Sequence, residues 1–296
     1  MPASFRFVKG HGTQNDFVLL PDPDGEVHGE LTPSLVAALC ARHTGIGADG
    51  VIRVVRCEAY DDPAAVALRG EAEWFMDYRN ADGSLSEMCG NGVRLLARYL
   101  ADHEGVDTSS VLPIATRAGL RVLRFAEDGR ISTGMGHPRV LTDTKVSVGE
   151  RSWPAVQVSM GNPHAVVFVD SLEEAGTLNE APAHDVEVFP EGVNVEFVVR
   201  RAERHLSMRV HERGSGETRS CGTGACAAMV AAAVADEAWR PGAEASYRVD
   251  VLGGELTVTW AADGQVVLTG PAVVVAEGEV PATFAAAATN PLSPGG

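Results

Sequence analysis

The run Ser4-Phe5-Arg6-Phe7-Val8-Lys9 alternates polar and apolar residues, and this period of two predicts a strand. Asp16 to Leu20 reads as the next strand, followed by a loop, PDPDGEVHGE, rich in Pro, Gly and Asp. Thr32 with Pro33 behind it predicts a capped helix to about His43. Strands are expected at Val51 to Val55 and Glu73 to Tyr78, and a helix from about Gly92 to Asp102. Short strands with turn signals fill Leu112 to Val158. Further strands follow at Ala165 to Val169, Val195 to Arg200 and Leu206 to Val210, with a weak helix signal near Leu172 to Asn179. An alanine-rich helix then runs to about Glu237, and Tyr247 to Val251, Glu255 to Thr259 and Val266 to Thr269 read as closing strands. After Pro281 the segment ATFAAAATNPLSPGG has no pattern that would pack, so 282–296 is expected to be an unstructured tail.

The pattern occurs twice. Asn15-Asp16-Phe17-Val18-Leu19 resembles Asn162-Pro163-His164-Ala165-Val166. Gly50 to Val55 resembles Asn194 to Val199, and Met76 to Gly92 resembles Met208 to Gly224. Three matches in the same order predict an internal duplication. A duplicated fold tends to have a pseudo-two-fold axis, and a site on that axis receives the same group from each half.

The repeated group is a cysteine before Gly-x-Gly at the start of a helix: SEMCGNGVR around Cys89 and TRSCGTGAC around Cys221. A helix start offers unpaired N–H groups and a partial positive charge. These lower the pKa of a thiol and cradle an anion such as a carboxylate. The helix after Cys221, ACAAMVAAAVA, is apolar all round and should be buried, where that field is poorly screened. A buried cysteine is usually only a small core residue, but two at equivalent positions favour chemistry. With one thiolate and one thiol, one group removes a proton from carbon while the other delivers a proton to its opposite face. The carbon is inverted, and the developing carbanion is held by preorganised N–H groups. Asn80 and Glu212 stand equally far before their cysteines, with Arg213 beside Glu212; this suggests recognition of an ammonium and a second carboxylate. Asn15 and Asn162 form another equivalent pair, Asn194 lies at a strand start, and His164 is either structural or tunes a thiol.

Composition narrows the classes. A chain of 296 residues can bury a large core as one domain or two lobes. Its net charge of −16 argues against nucleic acid and anionic membrane as partners. The N-terminal sequence lacks a signal-peptide pattern and Ala225 to Ala235 is too short for a membrane span, so a soluble, cytoplasmic protein is expected. Five irregularly spaced cysteines fit reduced thiols. No cluster has metal-ligand spacing, and neither Lys9 nor Lys145 sits in a site motif, so neither a metal nor pyridoxal phosphate is expected.

HGTQNDFV, NADGSLSEMCGNG, GNPH, GVNVEF and HERGSGETRSCGTGACAA, in this order from about Phe5 to Gly278, resemble the diaminopimelate epimerase family. The resemblance implies an α+β fold of two pseudosymmetric lobes, each a barrel-like, mostly antiparallel sheet around a central helix, with the active site between them. The lobes would be 1–126, completed by 271–281, and 127–270. It implies a cofactor-independent isomerase that interconverts LL- and meso-diaminopimelate in lysine biosynthesis, acting as a homodimer. Cys89 and Cys221 would be the acid/base pair, and Gly90, Asn91, Gly222 and Thr223 would hold the α-carboxylate. Asn15, Asn80, Asn162, Asn194, Glu212 and Arg213 would bind the amino groups and the distal carboxylate. His164 and Glu212 would help set the protonation of the thiols. Two positions depart from the family: Gly50 stands where many members carry a substrate-contacting glutamine, and Ala276 where some carry a dimer-contact tyrosine.

Proline racemases and hydroxyproline epimerases are the nearest rivals, and Glu212-Arg213 with the asparagines argues for a longer substrate charged at both ends. A thiol–disulfide oxidoreductase lacks support, because Cys221 and Cys226 are not spaced as CxxC. A non-catalytic amino-acid-binding protein would have no need of two reactive thiols.

Overall fold

The computed structural model describes residues 4–289. Contacts divide the chain into two units: one of Met1–Gly12, Asp16–Ile131 and Ala272–Gly296, the other of Thr13–Asn15 and Ser132–Pro271. The sequence reading had placed the junctions at 126/127 and 270/271.

The first unit holds strands β1 (Phe5–Gly12), β2 (Asn15–Pro21), β3 (Gly50–Arg56), β4 (Trp74–Asn80), β5 (Leu112–Thr116) and β6 (Gly119–Phe125), with helices α1 (Pro33–Cys40), α2 (Pro63–Ala67) and α3 (Gly90–His103). The second holds β7 (Ile131–Gly136), β8 (Arg139–Val148), β9 (Arg151–Ser159), β10 (Pro163–Phe168), β11 (Ala183–His184), β12 (Asn194–Ala202), β13 (His205–Glu212), β14 (Gly216–Thr218), helix α4 (Gly222–Ala235), and β15 (Ala245–Val251), β16 (Gly254–Trp260) and β17 (Val266–Gly270). The chain returns to the first unit through β18 (Val273–Val280) and α5 (Ala282–Thr289).

Strand pairing repeats between the units. In the first, β2 runs parallel to β3, β3 antiparallel to β4, β4 parallel to β5 and β5 antiparallel to β6. In the second, β10, β12, β13, β15 and β16 reproduce that order and polarity. The register agrees residue by residue. Phe17 faces Gly50 as His164 faces Asn194, and Val51 faces Arg79 as Val195 faces His211. These are the positions the sequence matches align, so the duplication is present in the hydrogen bonds.

Each sheet surrounds one helix. Helix α4 touches β9, β10, β12, β13, β15, β16 and β17, and is buried from Gly224 to Ala233 because every face of it is apolar. Helix α3 lies on Phe17, Leu19, Ile52, Val54 and Met76 through Val93, Leu96 and Leu100. The opposite face of β2, Val18 and Leu20, packs with Leu35, Val36 and Leu39 of α1.

Three local readings change. Helix α1 has the expected Thr32 cap, whose side chain accepts from Leu35 N, but it ends at Cys40 because Ala41 turns extended. Helix α2, capped by Asp62 and too short to show a period, was not anticipated. The expected tail is helical over Ala282–Thr289, because Phe284, Ala285 and Ala288 cover the α1 face of the sheet; the rest of it, 290–296, lies outside the described residues.

Candidate active site

Both cysteine turns are built alike. Cys89 is the N-cap of α3 with φ −134° and ψ 124°, and Cys221 is the N-cap of α4 with φ −110° and ψ 115°. Extended backbone at the cap turns the strand-side chain sharply into the helix, and at Cys221 the first-turn N–H of Gly224 is directed at the sulfur. All five cysteines carry thiols.

In the first unit Cys89 is half-buried and packs against the core around α3. Gly90 and Asn91 follow in the first turn, with Asn91 fully buried. Its Oδ1 accepts from Arg94 Nη2 at 2.7 Å, and Arg94 Nη1 donates to Gly90 O at 3.0 Å. Arg94, wholly buried, therefore places a cation in the turn that Cys89 opens. Asn80 ends β4, where its Nδ2 donates to Ser84 Oγ at 3.0 Å, and it pairs with Gly50 across the sheet. A β-carbon at Gly50 would stand 2.6 Å from Arg79 O and 2.7 Å from the Tyr78 ring, so this backbone has no room for the glutamine of other family members.

In the second unit Cys221 is 5% exposed, and its Sγ accepts from Gly224 N at 3.3 Å and lies 3.5 Å from Thr223 Oγ1. Burial pushes its thiol well above the ordinary range; the charges of Glu212 and Glu196 add to this, and Thr223 and Gly224 N–H oppose it. Asn162 Nδ2 donates to Thr223 Oγ1 at 3.3 Å, and its Oδ1 lies 3.0 Å from His164 Nε2. Nδ1 of His164 lies 2.7 Å from Glu196 Oε1, and both side chains are fully buried. Asn194 Oδ1 accepts from Arg213 N at 2.9 Å and its Nδ2 donates to Pro163 O at 3.2 Å, which ties the ends of β10, β12 and β13 together. Glu212 accepts from the Thr218 hydroxyl, and the partly exposed Arg213 side chain reaches Glu191 O at 3.3 Å.

The turn that carries Asn15 counts with this unit. Thr13 and Gln14 adopt left-handed backbone, φ 48° and 62°, which is strained for residues with a side chain. The Thr13 hydroxyl bonds Ser220 Oγ at 2.6 Å and Gln14 accepts from Arg219 Nε, so the strained turn is held by the two residues that precede Cys221.

Thus Asn15, Asn162, His164, Asn194, Glu212, Arg213, Cys221, Gly222 and Thr223 gather in the second unit, and Asn80, Cys89, Gly90 and Asn91 belong to the first. Glu196 was missed. Its signal was available: a glutamate in the apolar strand Val195-Glu196-Phe197-Val198-Val199, where a buried charge demands a reason. Among the described residues no group of three or more His, Cys, Asp or Glu is placed to hold a metal ion, and no helix is long and apolar enough to cross a membrane.

Residues 7–141 and 156–275 match the family described as diaminopimelate epimerase. A diaminopimelate epimerase of Streptomyces coelicolor is 54% identical over 94% of this chain and 96% of its own length. That of Thermobifida fusca is 48% identical over 93% and 97%. Among solved structures, a phenazine biosynthesis protein of the PhzF family from Bacillus anthracis superposes with a TM-score of 0.69 at 18% identity, over 95% of this chain and 99% of that one, a likeness of fold. With the same cysteine turns in each half of a duplicated α+β fold, and this identity over nearly the whole length, the chain belongs to the diaminopimelate epimerase family.

Proposed function

We propose that the chain interconverts LL- and meso-diaminopimelate without a cofactor, with Cys89 and Cys221 as the two bases at the α-carbon. The observation that carries this is the equivalence of the cysteines: each is an extended N-cap at the end of the same strand–helix connection in its half. In one direction a thiolate takes the α-proton, the electron pair stays on the carbanion, and the other thiol gives its proton to the opposite face. The protein is left with thiol and thiolate exchanged. The N–H groups after each cysteine, from Gly90, Asn91, Gly222 and Thr223, hold the α-carboxylate and the charge that develops on it. Asn15, Asn80, Asn162, Asn194, Glu212 and Arg213 recognise the amino groups and the distal carboxylate. His164 and Glu212 set the protonation of Cys221. The reading extends to a cytoplasmic homodimer in lysine biosynthesis.

Proton NMR of the reduced protein with LL-diaminopimelate in deuterium oxide, without cofactor, tests it. Deuterium entering the α-position as the meso isomer appears is the expected result. Persistence of the α-proton with no meso isomer, while proline or hydroxyproline is inverted, would overturn the substrate assignment.

A further inference from the structure

The two-base reaction requires Cys221 to carry negative charge during half of its cycle. Its surroundings oppose that: it is buried, and Glu196 and Glu212 repel a thiolate. Something must offset them. Glu196 itself is ill placed, since it is fully buried and its Oε2 has no hydrogen-bond partner among the described residues. A carboxylate left half-satisfied in a core costs stability, so its presence calls for a function.

The hydrogen bonds supply one. A β-carbon at Gly224 would stand 2.7 Å from Glu196 Oε1 and 3.3 Å from Cys221 Sγ, so the carboxyl group reaches the first turn of α4 beside the sulfur. From Oε1 a chain runs through His164, Asn162 and Thr223 to that sulfur. The chain has a direction. Asn162 gives its N–H to Thr223 and presents its carbonyl to His164 Nε2, which must therefore carry a hydrogen. One proton is then shared between His164 Nδ1 and Glu196 Oε1. Because Thr223 Oγ1 accepts from Asn162, its own hydrogen is available to Cys221. The sulfur then receives two donors, Thr223 O–H and Gly224 N–H. Were the shared proton lost, Nδ1–H would turn to the carboxylate and Nε2 would become an acceptor. Asn162 would then reverse, Thr223 would donate to Asn162, and Cys221 would be left to donate as a thiol.

We propose that Glu196 is a positioning residue for Cys221: by sharing a proton with His164 it orients Asn162 and Thr223 so that the chain ends in a donor to the sulfur. The mechanism of the preceding section is the basis of this role. The titratable groups facing Glu196 are His164 on β10, Glu212 at the end of β13 and Cys221 at the start of α4. Burial raises the Glu196 carboxyl above the usual range and His164 pulls it back, as expected for a shared proton.

The sign of one measurement decides. Were Glu196 only a repelling charge, Glu196→Gln would make Cys221 more reactive. In the proposed role the glutamine amide can face His164 either way, selection of the direction is lost, and Cys221 becomes less reactive. Cys221 alkylation by iodoacetamide is followed by peptide mass across pH 6–10 in the full-length protein. The expected result is a rate about tenfold lower at each pH below the plateau, the worth of one hydrogen bond to a charged group. Thr223→Val should give the same loss, and the double variant no further loss. In epimerisation kcat should fall by a similar factor with KM changed less than about twofold. An unchanged or faster alkylation, or additive losses, would overturn the proposal. If Glu196→Gln fails to fold by circular dichroism, Glu196→Asp, which keeps the charge but withdraws the oxygen from Nδ1, takes its place with the same expectation. Alkylation needs no substrate, so it decides the role of Glu196 even if the wild-type protein does not invert diaminopimelate.

Discussion

The two cysteine turns share a backbone but not a charge environment. Cys89 and Cys221 each open a helix of 14 residues from an extended cap. Within the first turn after Cys89 the buried charge is Arg94, a cation bonded to Gly90 O and Asn91 Oδ1. Around Cys221 the charges are the buried Glu196 and the half-buried Glu212. Helix α3 is amphipathic and leaves Cys89 half-buried, while α4 is apolar all round and takes Cys221 into the core. Duplication copied the local geometry of the cysteine turn. Divergence of the neighbours then made the two surroundings unequal: a buried cation lies in the turn after Cys89, while burial and the charge of Glu212 raise the Cys221 thiol.

The largest expected effect tests what the turns share. Cys89→Ala and Cys221→Ala should each lower kcat in both directions by roughly a hundred- to ten-thousand-fold, the usual worth of a positioned acid or base. If one substitution left kcat near wild type, the equivalence of the turns would be broken. The next effect tests what they do not share. At pH 7 without substrate, iodoacetamide should label Cys89 more than about tenfold faster than Cys221. Because burial and carboxylates raise the Cys221 thiol, its thiolate forms only as pH rises, and its labelling should still be climbing above pH 9.0, the ordinary thiol value. Equal rates in peptide mass analysis would show that Arg94, Glu212 and burial do not make the thiols unequal.

Much of this was legible in the sequence because periodicity and repetition are local signals. The apolar run of α4, the Thr32 cap and the strands that alternate all appeared where hydrophobic spacing placed them. The repeated cysteines were visible because each lies within a short contiguous motif. What was not legible depends on contacts distant in sequence. Glu196 meets His164 only when β10 and β12 pair in parallel and set His164 opposite Asn194, two residues before Glu196. The α5 helix could not be read because alanines carry no period, and it is packing with the apolar residues of α1 that orders them. Gly50 was read as a departure from the family's glutamine, and only the neighbouring strand shows how little room a side chain would have there.

The glycines sharpen the comparison at a smaller scale. Gly92 and Gly224 occupy matching positions, but a β-carbon at Gly92 would meet Met76 Cε at 2.8 Å and Ile52 Cδ1 at 3.0 Å, whereas one at Gly224 would meet Glu196 Oε1 at 2.7 Å. Gly92→Ala should therefore overpack the core and cost about 1–3 kcal/mol of stability, read by urea unfolding, with kcat little changed in the folded fraction. Gly224→Ala should displace the Glu196 carboxyl and lower kcat by about fivefold, while the better helix propensity of alanine, about 1 kcal/mol, offsets the crowding. If both variants lost only stability, the glycine in the second turn would be a packing residue like the first.

The smallest effect distinguishes the starts of the two sheets. Asp16 opens β2 bonded to Lys9 Nζ at 2.5 Å and to Arg42 at 2.9 Å, while the aligned position in the other half is Pro163, which has no charge. Burial would raise the Asp16 carboxyl, but Arg42 and Lys9 outweigh it and hold the carboxyl at about 2 instead of 3.8. A carboxyl lowered on folding stabilises the native state above its unfolded value and loses that contribution as pH falls through the folded one. The window is therefore pH 4 down to 2, and the contribution is about 1 kcal/mol once its partial solvent exposure is discounted. Amides of β2 and β3 should lose hydrogen-exchange protection across that window before those of β10 and β12, and Asp16→Asn should remove the difference. Simultaneous loss in both pairs of strands would mean that acid opens the halves together and that this ion pair does not set their order.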